Sequence, residues 1–346
     1  MKKHSDQERR SRAFLTCLEP EYDDVLLHLL GCAECRALAG KLLASQGSLA
    51  VAVPPAEAPR KAMLQRPDDA TLWRLERLLA TPPVLRPRLL REEEEFRDLD
   101  LAGLLLRRSE AAQPHAPRIS EEMARLAFTI AEPMARSPWV GRSNDVKARA
   151  CVLIGNVRRL ERDTGAAEEM FSRAVFHLTG PPNCRERAFY CRSLALLRAD
   201  LGQVDEAAGL LWRAALIYRE TGERREAGSC LEQLGFLFLE EEQIERAVPP
   251  LTQACQALQP PADAAPYVRC ALALAYCHAF LGEPETSRRF LHAARALYPH
   301  LPEGEPRTQA AWLEGKVAAL AMPPLTNHLS GANEGPDVPK GDAVWT

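Results

Sequence analysis

CVLIGNVRRLERDTGAAEEMFSRAV, residues 151–175, is followed at a fixed distance by three stretches built on the same plan. They are CRSLALLRADLGQVDEAAGLLWRAA (191–215), LEQLGFLFLEEEQIERAVPPLTQAC (231–255) and ALALAYCHAFLGEPETSRRFLHAAR (271–295). Small residues fall at Gly155, Ala195, Gly235 and Ala275, again at Ala167, Ala207, Ala247 and Ser287, and again at Ala174, Ala214, Ala254 and Ala294. All three series advance by one and the same stride, a period of forty, and a bulky residue, Phe171, Leu211, Leu251 or Leu291, stands four places after the second small one. Small residues let two helices approach closely and a large one fills the space beside them, so this pattern predicts a row of helix hairpins.

The rest of the chain agrees in class. Ala, Leu, Glu and Arg dominate, apolar residues recur at three- and four-residue steps, and alternating β-branched runs are scarce, which predicts an all-α protein. A more degenerate unit precedes the four, with Ala124, Phe128 and Ala131 as its second-helix code, and a half unit follows, with Gly315 one further stride after Ala275. Helical patterns also run through TLWRLERLLA and RLLREEEEFRDLDLAGLLLRRSE, and the acidic run Glu92–Glu95 within them reads as a solvated helix face.

The repeats resemble the tetratricopeptide family. Their small residues stand at its eighth, twentieth and twenty-seventh positions, their large one at its twenty-fourth, and Pro299 where that family often ends its second helix. The stride exceeds the family's period of about 34, and the extra residues fall in linkers such as LTGPPNCRER (178–187) and LQPPADAAP (258–266). The resemblance implies a right-handed α-solenoid with a concave groove lined by first helices. Carrying the family's groove positions over names Arg149, Asn156, Arg159, Phe189, Arg192, Phe236, Tyr276, Trp312 and Lys316. Cations and rings together suit an extended or helical peptide with acidic and apolar side chains. Asn156 also occupies a position used by the carboxylate clamp of chaperone-binding members, but Val152 stands where that clamp needs a Lys, so a chaperone-tail receptor is not expected.

The organisation expected is a small module at 1–45, a linker at 46–70 rich in small residues and proline, the helical array at 71–322 with its clearest repeats at 148–307, and a Pro- and Gly-rich tail at 323–346 with the composition of a disordered segment. The first module holds HLLGCAEC, residues 28–35. Zinc takes about four ligands in a tetrahedron. His28, Cys32 and Cys35 supply three, at a spacing that lets a helix end, a turn and the next helix start converge. His4, far enough before His28 for a preceding helix to run out and back, and Cys17, in the turn between two helices, are the alternatives for the fourth, with His4 the better placed. A segment this short holds little core, whereas metal ligation contributes roughly 10 kcal/mol or more to folding. The stretch resembles the zinc-binding anti-sigma-factor family, in which a Cys or His is followed at some distance by His-x3-Cys-x2-Cys. That resemblance implies Zn2+ held by His4, His28, Cys32 and Cys35 and a regulator acting on transcription through a protein partner such as a sigma factor. A general scaffold, or the regulatory subunit of a complex in which the zinc is purely structural, is the alternative.

Composition narrows the partners. With 44 Lys and Arg against 47 Asp and Glu the formal charge is −3, so no broad positive field is available for direct nucleic-acid binding. No apolar run of signal-peptide length follows the charged start, and SLAVAVPPAEAP is broken by prolines, so a cytoplasmic protein with no membrane association is expected. Ten cysteines in such a chain read as reduced thiols, most of them filling helix-packing positions. No phosphate-binding, metalloprotease or serine-hydrolase motif occurs, and the function expected is non-enzymatic protein–protein interaction.

Overall fold

The computed structural model describes residues 68–136, 139–180 and 184–321. The module at 1–45 with His4, Cys17, His28, Cys32 and Cys35, most of the linker, and the tail lie outside the described residues. Among the described residues there are thirteen α-helices and no strand, which bears out the all-α class. They are α1 (Asp69–Ala80), α2 (Arg86–Glu92), α3 (Leu99–Ala112), α4 (Pro117–Ala131), α5 (Val140–Leu160), α6 (Thr164–His177), α7 (Arg185–Asp200), α8 (Val204–Glu220), α9 (Arg224–Glu240), α10 (Ile244–Ala257), α11 (Ala264–Phe280), α12 (Pro284–Arg295) and α13 (Glu305–Ala321). The chain divides into two compact units, one ending at Gly209 and the other beginning at Leu210.

In the first unit α3 packs on α4 and α5 on α6, while α5 also packs on α3, α4 and α7. In the second, α9 packs on α10 and α11 on α12, and α11 also packs on α9, α10 and α13. Each unit is thus made of antiparallel helix pairs whose first helices lie side by side.

The small residues explain the closeness. Ala167, Ala174, Ala207, Ala214, Ala247, Ala254, Ala275 and Ala294 are fully buried, and the bulky Phe171, Leu211 and Leu251 are buried with them. At Gly155 an added Cβ would stand 3.2 Å from the Phe171 ring, and at Gly235 it would be driven into Leu251 Cγ. Ser287, where the other repeats have Ala, donates its hydroxyl to the Ala275 carbonyl at 2.8 Å, so the extra polar atom is satisfied inside the pair.

The turns inside the pairs repeat as faithfully. Residues 162, 202, 242 and 282 all have positive φ, at 61°, 72°, 58° and 76°. The N–H of the next residue, Asp163, Gln203, Gln243 or Glu283, reaches back to the carbonyl of residue 158, 198, 238 or 278 at 2.8–2.9 Å. This is a left-handed helix stop of the Schellman kind. Gly202 and Gly282 adopt it freely, whereas Arg162 and Glu242 hold it against their own Cβ.

Four details differ from expectation. The extra residues do fall between α6 and α7 and between α10 and α11, with 185–187 and 264–266 already inside α7 and α11, but between α8 and α9 the extra length lies in the helices, 17 residues each, joined by a three-residue turn through Gly222. No proline interrupts that stretch, so the helices simply continue. The acidic run Glu92–Glu95 is not one helix face: Glu92 ends α2 and Glu94 opens a 3₁₀ turn. A run of carboxylates at a helix C-terminus opposes the helix dipole, and here Glu92 pairs with Arg88, Glu93 and Glu95 with Arg77, and Glu94 with Arg97. In the degenerate unit Phe128 is only half-buried, its ring edge on His177, while Ala124 and Ala131 are buried as expected. Gly315 is exposed with nothing near it, because no second helix covers it among the described residues.

Candidate functional site

The first-helix face of the first unit is built by α3, α5 and α7, and an arginine ties the three together. Arg149 on α5 is buried; its Nη2 lies 2.7 Å from Glu110 Oε2 on α3, and its guanidinium sits 4.4 Å over the Phe189 ring on α7. A planar cation can do both at once, since its edge donates to the carboxylate while its face meets the ring. Further along, Arg159 Nη1 meets Asp200 Oδ2 of α7 at 2.7 Å, and Gln113 Nε2 donates to the Leu153 carbonyl at 2.9 Å. Arg107 belongs to the same neighbourhood: burial, and then the charge of Arg149, hold its pKa below the usual value, with Arg185 adding to the repulsion and Asp100 opposing it.

Asn156 stands two turns beyond Arg149 on α5. It is 6% exposed, and its Oδ1 is buried without a hydrogen-bond partner. A buried acceptor left unpaired costs about 1–3 kcal/mol.

In the second unit the corresponding face belongs to α9, α11 and α13. Phe236 is buried, and Tyr276 is half-buried with its ring stacked on Phe280 at 6.5 Å. Burial pushes the Tyr276 hydroxyl pKa up, with Cys277 and Glu242 adding to it. Glu232, almost wholly buried on α9, accepts from Arg269 Nε of α11 at 2.7 Å. Trp312 and Lys316 on α13 are exposed, the ammonium 4.4 Å above the indole.

Of the nine residues expected on this face, Arg149, Asn156, Arg159, Phe189 and Arg192 belong to the first unit and Phe236, Tyr276, Trp312 and Lys316 to the second. Arg149, Asn156, Phe189 and Phe236 are buried, and Arg159, Arg192 and Tyr276 are half-buried. Sequence reasoning missed Arg107, Glu110, Asp200, Glu232 and Arg269. A signal was present: Glu110 and Arg149 are 39 residues apart, Arg159 and Asp200 41, and Glu232 and Arg269 37, so opposite charges sit about one stride apart.

Among the described residues no cluster of His, Cys, Asp or Glu could hold a metal. The seven described cysteines are free thiols, six of them buried. Burial raises the Cys151 thiol to about 11 and Cys277 to about 12, which keeps both protonated and chemically quiet. No helix among the described residues is long and apolar enough to cross a membrane.

These features define an all-helical protein of packed helix pairs. No protein-family model matches the sequence, and no curated protein matches it. Among solved structures the chain is similar to that described as the crystal structure of BtubC (BKLC) from P. vanneervenii, at 15% identity and a TM-score of 0.52, over 69% of this chain and 96% of that one. At that identity the likeness supports the helical fold alone.

Proposed function

We propose that the chain is a non-enzymatic interaction protein of tetratricopeptide type, which holds an acidic and apolar peptide segment of a protein partner against its first helices. The right-handed winding implied by that resemblance belongs to the same proposal. The observation that carries the reading is the first-helix face of α3, α5 and α7, where Arg149 is held between Glu110 and Phe189 and where Arg159 and Arg192 are half-buried. Side chains held in fixed places form a preorganised surface for an extended segment.

The N-terminal module is proposed to bind Zn2+ through His4, His28, Cys32 and Cys35, and to occlude a sigma factor or related regulator, which makes the protein a cytoplasmic modulator of transcription. Affinity capture with the full chain and with residues 1–45 removed tests this. Loss of a sigma factor on deletion supports the modulator; an unchanged set of partners rejects it and leaves a scaffold. For the partner that binds, Arg192→Ala is expected to weaken affinity about tenfold by removing a cation from the face. Equal affinity by calorimetry would reject the peptide reading. Metal analysis of the full chain is expected to show one zinc per chain, lost when Cys32 and Cys35 are replaced by Ser.

A further inference from the structure

Two thiols meet where one helix pair of the second unit joins the next. Cys255 stands in the last turn of α10 and Cys270 in the second turn of α11, and the two helices pack against each other. Their side chains share a hydrogen bond. Tyr267, one turn before Cys270, lies near both sulfurs: its hydroxyl pKa is raised by burial first and then by Cys255 and Cys270. The corner between the helices is braced. The Gln259 N–H donates to Asp263 Oδ2 at 3.0 Å, the Asp263 N–H to the Gln259 carbonyl at 3.2 Å, and Asp263 Oδ1 meets Arg225 Nε of α9 at 3.2 Å. Such a corner keeps the sulfurs opposite each other. The equivalent places one stride back hold Ala215 and Cys230, two strides back Val175 and Tyr190, and one stride on Arg295 and Ala310, so a sulfur on each side occurs at this junction of the repeats alone.

The two thiols are unequally placed. Cys270 is buried, whereas Cys255 is half-buried and is the one cysteine among the described residues that burial does not close off. An oxidant arriving from solvent therefore meets Cys255 first. Burial, and then the hydrogen bond to Cys255, raise the Cys270 thiol pKa, with the Glu232 carboxylate adding to the shift and Arg269 opposing it. Such a thiol is a poor first nucleophile, and its place beside Cys255 suits it to act second.

We propose that Cys255 and Cys270 form a reversible disulfide when the protein meets a hydroperoxide, a covalent staple between α10 and α11. The Cys255 sulfur attacks one peroxide oxygen; an S–O bond forms as the O–O bond breaks, and the departing oxygen takes up the proton that the thiol gave, leaving as water or an alcohol. The Cys270 sulfur then attacks the sulfur of the Cys255 sulfenic acid. The S–S bond forms, the S–O bond breaks, and the released hydroxide takes the Cys270 proton and leaves as water. Two electrons have passed from the thiols to the peroxide, and a thiol reductant returns them by exchange. The staple fixes the spacing of two neighbouring helix pairs, which packing alone otherwise sets. It rests on neither the peptide face nor the zinc module proposed above.

The test uses the full chain, reduced, treated with a small excess of hydrogen peroxide, alkylated and digested with trypsin. Cleavage after Arg269 places the two cysteines in separate peptides, 247–269 and 270–288. The expected product is these peptides joined, lighter by two hydrogens than their sum, with fragmentation placing the bond on Cys270 and not on Cys277, and dithiothreitol is expected to part them. Cys255→Ser, a change at a half-buried position, is expected to keep the wild-type circular dichroism and to abolish the joined product. In Cys270→Ala the Cys255 sulfenic acid is expected to persist and to be trapped by dimedone. The oxidised wild type is expected to melt about 5 °C above the reduced protein, a rise that Cys255→Ser loses. Conversion of Cys255 to sulfinic acid while Cys270 remains a thiol overturns the proposal, as does a bond to Cys277 in its place. A melting temperature that oxidation leaves unchanged or lowers also overturns it.

Discussion

Glycines at the same place in different repeats experience opposite surroundings, and substitution reads the difference directly. At Gly235 an added methyl collides with Leu251, and the branch point of a buried leucine cannot swing aside. Gly235→Ala is expected to destabilise by about 2 kcal/mol, the overpacking outweighing the gain in helix propensity. At Gly315 nothing opposes the methyl, so Gly315→Ala is expected to stabilise by about 0.8 kcal/mol. Urea unfolding of both variants checks the pair, and a shift of the same sign in both would contradict the packing described. The turns offer a second comparison. Arg162 and Glu242 occupy the left-handed conformation that Gly202 and Gly282 adopt at the equivalent places. Arg162→Gly and Glu242→Gly are each expected to raise stability by about 1 kcal/mol, and Gly202→Ala to lower it by as much.

At the scale of elements, helix ends and breaks decide the layout. Asp98 caps α3 by accepting from the Asp100 N–H at 2.8 Å, and it also receives Thr71 Oγ1 at 3.1 Å and Arg74 Nη1 at 2.9 Å, tying α1 to the start of α3. Asp98→Ala removes the cap and strips both partners together. The expected cost is about 2 kcal/mol in denaturant unfolding, against about 1 kcal/mol for an isolated cap. Helix α10 contains Pro249 and Pro250 in its interior, where each removes a backbone hydrogen bond. Pro250 is buried and Pro249 half-buried, so Pro249→Ala is the gentler probe. It is expected to stabilise the second unit by about 2 kcal/mol, measured by the same method.

For the molecule as a whole, stability responds to pH through groups whose burial differs between folded and unfolded chains. His177 has its pKa lowered, chiefly by burial and then by the charges of Lys147 and Arg173. A base with a depressed folded pKa binds its proton more readily when unfolded. Its contribution is therefore complete above the ordinary value of 6.5 and declines as pH falls below it. Unfolding at pH 7.5 and 5.0 is expected to show a smaller loss of stability in His177→Gln than in the wild type. Glu314 adds to the same trend at lower pH. The hydrogen bond from Tyr298 holds its pKa below the ordinary carboxylate value, with Arg295 reinforcing it against burial, so its contribution is present above 4.5 and lost as pH falls through the folded value.

The helical class, the pairing of helices within stretches such as 151–175 and the small and bulky residues that enter each interface were all legible in the sequence. The reason is that each depends on a pattern within one helix or between two helices joined by a short turn, and Gly155 and Phe171 are only sixteen places apart. The tertiary structure alone decided which charges meet. Arg149 looks like any groove cation until Glu110 and Phe189, on two other helices, are seen to hold it. It likewise decided that Glu92–Glu95 breaks across a helix end, that the extra residues between α8 and α9 lengthen helices, and that no side chain among the described residues fills the space at Gly315. Local periodicity sets which face of a helix is apolar, but what covers that face, and whether anything does, depends on elements a full stride away in the chain.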